Sequence, residues 1–199
     1  MRAFIPPILV LAALLSSCGP ASGAVSSPAS AEDLVSLLHF DGPPGVQLAQ
    51  ACVSSGPELC FDATDNNCNG AIDEGCGVRT GVVQFSIAWG DPEADVDLEV
   101  SDPGGATAGL GEPTALGLLK DRDCPGGGDR CQGQNTENVF LVSRATPRGR
   151  FRVSVRLVRL GAQPLPLSVR FGARIGQRSY ASVLEFNAVD DRRAMTFDL

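Results

Sequence analysis

From Arg79 onward, apolar and polar side chains alternate one for one in several runs. Val83, Phe85, Ile87 and Trp89 are separated by Gln84, Ser86 and Ala88, and Val96, Leu98 and Val100 by Asp97 and Glu99. A period of two is that of a β-strand with one face buried. Phe151, Val153, Val155 and Leu157 alternate in the same way with Arg152, Ser154 and Arg156, and Leu165, Leu167, Val169 and Phe171 continue the pattern. Residues 138–143, 180–187 and 195–199 supply further short apolar runs, and Asp102-Pro103-Gly104-Gly105 is a turn. Gly- and Pro-rich connections without a long helical period predict an all-β fold. The expectation is an antiparallel β-sandwich of about seven to eight strands over residues 79–199, with 105–136 as a long insertion.

Residues before 79 have another texture. Arg2 precedes an apolar run over 3–15, which has the length of a signal-peptide core and falls short of the roughly 20 residues that a spanning helix needs. The run ends in Leu15-Ser16-Ser17-Cys18, which resembles the bacterial lipobox. That resemblance implies a signal peptide over 1–17 and a mature chain anchored to the membrane by acyl chains on Cys18. It implies an exported, membrane-anchored lipoprotein of the cell envelope, at the outer membrane or cell surface. Ordinary cleavage after Ser17 or Ala24 is the competing reading. Residues 18–50 read as a Pro/Ser/Gly-rich tether. Within it, 31–40 predicts a short helix capped by Ser30 and followed by the breaker run Asp41-Gly42-Pro43-Pro44-Gly45.

Composition narrows the function. The 199 residues carry a net charge of −7, with seven Cys and one His. A sequence pI near 4.7 argues against a nucleic-acid partner. The single His39 is expected to be a surface or packing residue. If Cys18 carries lipid, the remaining six cysteines (Cys52, Cys60, Cys68, Cys76, Cys124 and Cys131) can pair in an exported compartment. The first four lie in a segment, 51–78, too small to hold a core, and their spacing leaves the pairing open. Cys124 and Cys131 predict a local disulfide.

Inside the cysteine-rich segment, Asp65, Asn67, Asn69 and Gly70 match positions 1, 3, 5 and 6 of D-x-[DN]-x-[DN]-G. Alternate residues of a tight loop aim oxygens at one centre, as a hard cation requires. Asp73 and the Ala71 carbonyl extend the candidate calcium set, with Glu74 or Asp62 replacing the Glu expected at position 12, where Cys76 stands. An Asx-rich turn holding no ion is the competing reading. The run CFDATDNNCNGAIDEGC resembles the repeat C-x-D-G-x-D-N-N-C-N-G-x-x-D-E-G of MopE-type surface proteins, with Ala63 in place of a Gly. That resemblance implies metal binding. The hard oxygen donors favour calcium, and copper is unlikely because neither Met nor His falls in the motif.

The stretch WGDPEADVDLEVSDPGG, with ENVFLVSRATPRGRFRVSVRL after it, resembles YfaP-type sandwiches and, in style, pre-peptidase C-terminal domains. The resemblance implies an accessory or binding module with no catalytic set to carry over. Asp95 and Asp97 share one face of a strand as a second candidate ion site or, in the enzymatic alternative, a carboxylate pair of a weak carbohydrate-active hydrolase. No HExxH, G-x-S-x-G or P-loop is present, and the expectation is a protein that is not an enzyme. Residues 144–178 hold nine Arg and no acid. Neutralisation by the acidic strand or the acidic knot is favoured over an anionic ligand. The functional expectation is a non-catalytic surface lipoprotein with a calcium-binding motif and a β-sandwich that binds polysaccharide or an envelope protein. A structural adaptor of an envelope complex is the further alternative.

Overall fold

A computed structural model describes residues 38–50, 56–125, 131, 133–143 and 146–199. Among the described residues ten strands run in chain order: β1 His39–Asp41, β2 Ala49–Gln50, β3 Val83–Trp89, β4 Asp95–Ser101, β5 Leu118–Asp123, β6 Thr136–Leu141, β7 Arg150–Arg159, β8 Leu167–Ile175, β9 Arg178–Phe186 and β10 Arg192–Asp198. They form a four-stranded sheet, β1-β10-β7-β4, and a six-stranded sheet, β2-β9-β8-β3-β6-β5. All pairings between them are antiparallel. No helix occurs among the described residues. The all-β sandwich expected from the alternation is the architecture found.

The inward residues of the two sheets meet in one core. Phe85 of β3 is at its centre, with its ring centroid 4.9 Å from Phe197, 6.3 Å from Phe151 and 6.4 Å from Phe171. All four rings are fully enclosed. The Phe40 ring of β1 packs at a tilt of 55° against Phe197, centroids 5.1 Å apart, which draws the segment before the cysteines onto the sandwich.

Three segments differ from the sequence expectation. The helix predicted over 31–40 ends, in its described part, as β1, paired with β10 at His39↔Asp198 and Phe40↔Phe197. Residues 38–50, assigned to the tether, place β1 on one sheet and β2 on the other. Open strand edges and the Phe197 ring outweigh a weak local preference. In the supposed insertion, β5 pairs with β6, and its register shifts between Lys120 and Arg122. That bulge breaks the period of two, so the strand does not show as alternation. Residues 1–37, including Cys18 and the signal segment, lie outside the described residues, as does Cys52.

The turn after β3 is stapled to the one after β7 by Asp91. This enclosed carboxylate accepts the N–H groups of Gln163 (2.8 Å) and Glu93 (3.1 Å). The Gln163 N–H and its neighbours hold the Asp91 pKa below the ordinary carboxylate value. The folded state therefore binds this proton less readily than the unfolded chain. The associated stability is full above the unfolded value and is lost as the pH falls through the folded one. Asp91→Asn should lower stability at neutral pH and flatten its decline on acidification, as measured by urea unfolding at a series of pH values.

Candidate metal centre

Residues 56–78 form a knot without regular secondary structure, closed by the Cys60–Cys76 disulfide (Cα–Cα 5.3 Å). Cys68 is disulfide-bonded as well. A coil this short cannot pair its N–H groups in a ladder, so carboxylates accept them. Glu58 takes Asn66 N (3.0 Å) and Asn67 N (3.3 Å) on one oxygen and Asp73 N (2.9 Å) on the other. Asp65 takes Asn69 N (3.1 Å) on Oδ1, and Gly70 N (2.9 Å) with the Ser179 hydroxyl (2.7 Å) on Oδ2. Asp73 takes Asp62 N (3.1 Å) and Ala63 N (3.2 Å). Burial pushes Asp73 up to about 6 against the pull of those N–H groups. Burial likewise raises Glu58. Glu58 precedes the motif, and no spacing rule marks it in the sequence.

The predicted ligand set divides in two. On one side, the carboxamides of Asn67 and Asn69 both donate to Oε1 of Glu74. Oε2 of Glu74 is buried and has no hydrogen-bond partner. Asp65 borders this group through Asn69 N. On the other side, Asp73 and Asp62 face the 61–64 turn, and Asp62 meets Arg170 at 3.4 Å. The Ala71 N–H donates to Asn69 Oδ1 at 2.8 Å. Among the described residues no three His, Cys, Asp or Glu side chains stand together as a metal-binding group. The oxygens of Glu74, Asn67, Asn69 and Asp65 nevertheless have the hardness that calcium needs, and the orphaned Glu74 oxygen fits a cation.

The knot is seated on the outer face of the six-stranded sheet. A Cβ on Gly172 of β8 would strike the Ala63 carbonyl, and one on Gly70 (φ +84°) would meet the Gln177 carbonyl at 2.5 Å. Ile72, 1% exposed, fills the space beneath, and its carbonyl accepts the Gln84 amide at 3.1 Å. Gln84 continues to Asn138 Oδ1 (2.9 Å), which also meets the Ser86 hydroxyl (2.5 Å). Asn138 in turn donates to Asp121 (2.6 Å) and to the Arg79 carbonyl (2.9 Å). Gln84 and Ser86, expected on a solvated face, are therefore fully buried. A cleft of about 550 Å³ opens beside the knot, lined in part by Phe61, Trp89, Gln163, Ser168, Arg170 and Val183.

Charges on the four-stranded sheet neutralise one another. Arg156 meets Asp97 at 3.4 Å, Arg192 meets Glu99 at 3.5 Å, and Arg150 meets Asp198 at 2.7 Å. Asp95 lies opposite Arg159. Burial and the neighbouring Asp97 raise its pKa.

At the end of the sandwich, a second polar cluster joins the sheets. Glu137 of β6, 2% exposed, accepts the Leu98 N–H of edge strand β4 at 2.6 Å and the Lys120 ammonium at 2.8 Å. Lys120 also meets Asp123 at 2.9 Å, and the Cys124–Cys131 disulfide follows directly. Burial drives Glu137 well above the ordinary carboxylate value. Asp123 stays below it, because hydrogen bonds from Glu137 and Lys120 outweigh its burial. Sequence reading missed this cluster, although Lys120 is the only Lys in the chain. Neither a protein-family model, nor a curated protein, nor a solved structure matches the chain.

The close approach at Gly172 yields a direct test of the seat. Gly172→Ala should cost about 1–3 kcal/mol by overpacking and lift the knot. Hydrogen exchange should then accelerate over 60–76 while protection of β7 and β10 is retained.

Proposed function

We propose that the chain is a non-catalytic surface lipoprotein in which a calcium-binding knot is held on a β-sandwich that binds a polysaccharide or an envelope protein. The observation that carries the calcium reading is the convergence of Asn67, Asn69 and Glu74, with Oε2 of Glu74 buried and unpartnered. With calcium bound, Glu74 and Asp65 would supply charge, and the Asn67 and Asn69 carboxamides would turn their oxygens inward. The ion would supply no chemistry beyond fixing this loop against the β8–β9 hairpin, where the Ser179 hydroxyl donates to Asp65 and Arg174 feels the charges of Asp65 and Glu74.

The cleft beside Phe61 supports the binding part of the reading. It combines an aromatic ring with the amide, hydroxyl and guanidinium of Gln163, Ser168 and Arg170, the mixture found where small polar ligands bind. The Arg-rich strand is a weaker candidate, because its Arg150 and Arg156 already face Asp198 and Asp97. The same Arg156–Asp97 pairing weakens the hydrolase alternative, which needs both carboxylates of Asp95 and Asp97 for the reaction.

Calcium titration followed by thermal unfolding tests the site. A ligand at a hundredfold excess over its Kd stabilises by about 2.7 kcal/mol, so the wild type should gain on that order. Glu74→Gln leaves the carboxylates that organise the backbone in place and should gain little. Equal gains for the two proteins would remove the site. Mass spectrometry of the mature N-terminus tests the anchor: acylated Cys18 is expected, and an unmodified N-terminus downstream of it would refute the lipoprotein reading.

A further inference from the structure

The cluster of Lys120, Asp123 and Glu137 has no part in the knot or the cleft, and its geometry is that of an amine held against a carboxyl group. Lys120 Nζ lies 2.8 Å from Glu137 Oε2 and 2.9 Å from Asp123 Oδ1. Leu98 N–H points at the same Glu137 oxygen from 2.6 Å. The bulge between Lys120 and Arg122 brings this about, since it turns Lys120 and Asp123 to the side on which Asp123 lies opposite Glu137. Glu137 is 2% exposed and the Lys120 side chain 12%. We propose that Lys120 and Glu137 condense to an isopeptide bond that covalently joins β5 to β6.

Each participant has a defined part. A carboxylate anion resists attack by an amine, and burial favours the neutral form of Glu137. Asp123, the more exposed acid, is the base placed 2.9 Å from the Lys120 ammonium, whose pKa Glu137 and Asp123 raise against the effect of burial; on taking its proton it frees the nucleophilic lone pair. Nζ then adds to Cδ of Glu137, and the oxygen that accepts Leu98 N–H carries the developing negative charge, as in an oxyanion hole. The second Glu137 oxygen leaves as water, with its proton returned by Asp123, while the nitrogen gives up a further proton to that carboxylate. One N–C bond forms, one C–O bond breaks, and one water is released. No oxidant or cofactor is required. Groups fixed in such contact react with effective concentrations of roughly 10⁵–10⁸ M, and the dry site disfavours the reverse hydrolysis. The product would covalently fix β5, the last strand of the six-stranded sheet, to its neighbour β6.

The mature full-length protein, reduced and alkylated, should have an intact mass one water below that of its sequence. Asp41-Gly42 can lose the same mass by forming a succinimide, so the loss must be located. Tandem mass spectrometry should find the peptide containing Lys120 joined to that containing Glu137. Because the chain has a single Lys, an amine-reactive label applied to the denatured protein should leave residue 120 unmodified. Asp123→Asn, verified as folded by circular dichroism, should keep the full mass and label at Lys120. Full mass with a reactive Lys120 in the wild type overturns the proposal. So does a link from Lys120 to Asp123 in place of Glu137, and an unimpaired link in Asp123→Asn overturns the role of Asp123.

Discussion

A sheet of six strands has two faces, and the opposing sheet of four covers only one. The contact on which the rest of the structure depends is the one that closes the other: the Ala63 carbonyl and Ile72 of the knot against Gly172, Gln84 and Asn138. Burying Gln84, Ser86 and Asn138 without partners would cost about 1–3 kcal/mol each, so the knot must bring acceptors with it, and the Ile72 carbonyl is one. The protein is thus three-layered over the middle of the larger sheet. β3 is buried on both sides along its whole length. Its inward side chains are apolar, and its outward ones are small or amide-bearing.

The acidic residues of the knot acquire a meaning that net charge alone does not convey. Glu58, Asp65 and Asp73 serve first as acceptors for backbone N–H groups in a coil that has no ladder. Among the described acids of the knot, Glu74 keeps an oxygen in reserve. The disulfide restricts the unfolded coil and the carboxylates organise the folded one. A segment with few apolar side chains can then hold a single shape against the sheet. Arg170 and Arg174 of β8 offset part of that negative charge, just as Arg156 and Arg192 offset the acids of β4.

Glu137 performs a related task at the seam. The β4 edge leaves N–H groups unpaired, and one of them, on Leu98, ends on this carboxyl group from the other sheet. The two sheets are therefore joined by a polar contact as well as by the phenylalanine cluster. Its position in the sequence, between the polar Thr136 and Asn138, carries no sign of this role.

The amino-acid order by itself determined the strands whose faces differ, because a period of two survives in any one-dimensional reading: Val83 to Trp89, Val96 to Val100 and Phe151 to Leu157 are all found as strands. It determined the local Cys124–Cys131 pair, since a short loop brings the two together whatever surrounds it. It also marked the loop around Asp65 through Gly70. Tertiary structure decided the remainder. β1 and β2 exist because sheet edges and Phe197 were available to them. β5 was hidden by a bulge that becomes regular only opposite β6. The partners of Glu58, Asp73 and Glu137 come from folding, since a carboxylate's role depends on which N–H groups and cations the folded chain places around it. For the same reason, the outward face of β3 looked solvated until the knot was laid upon it.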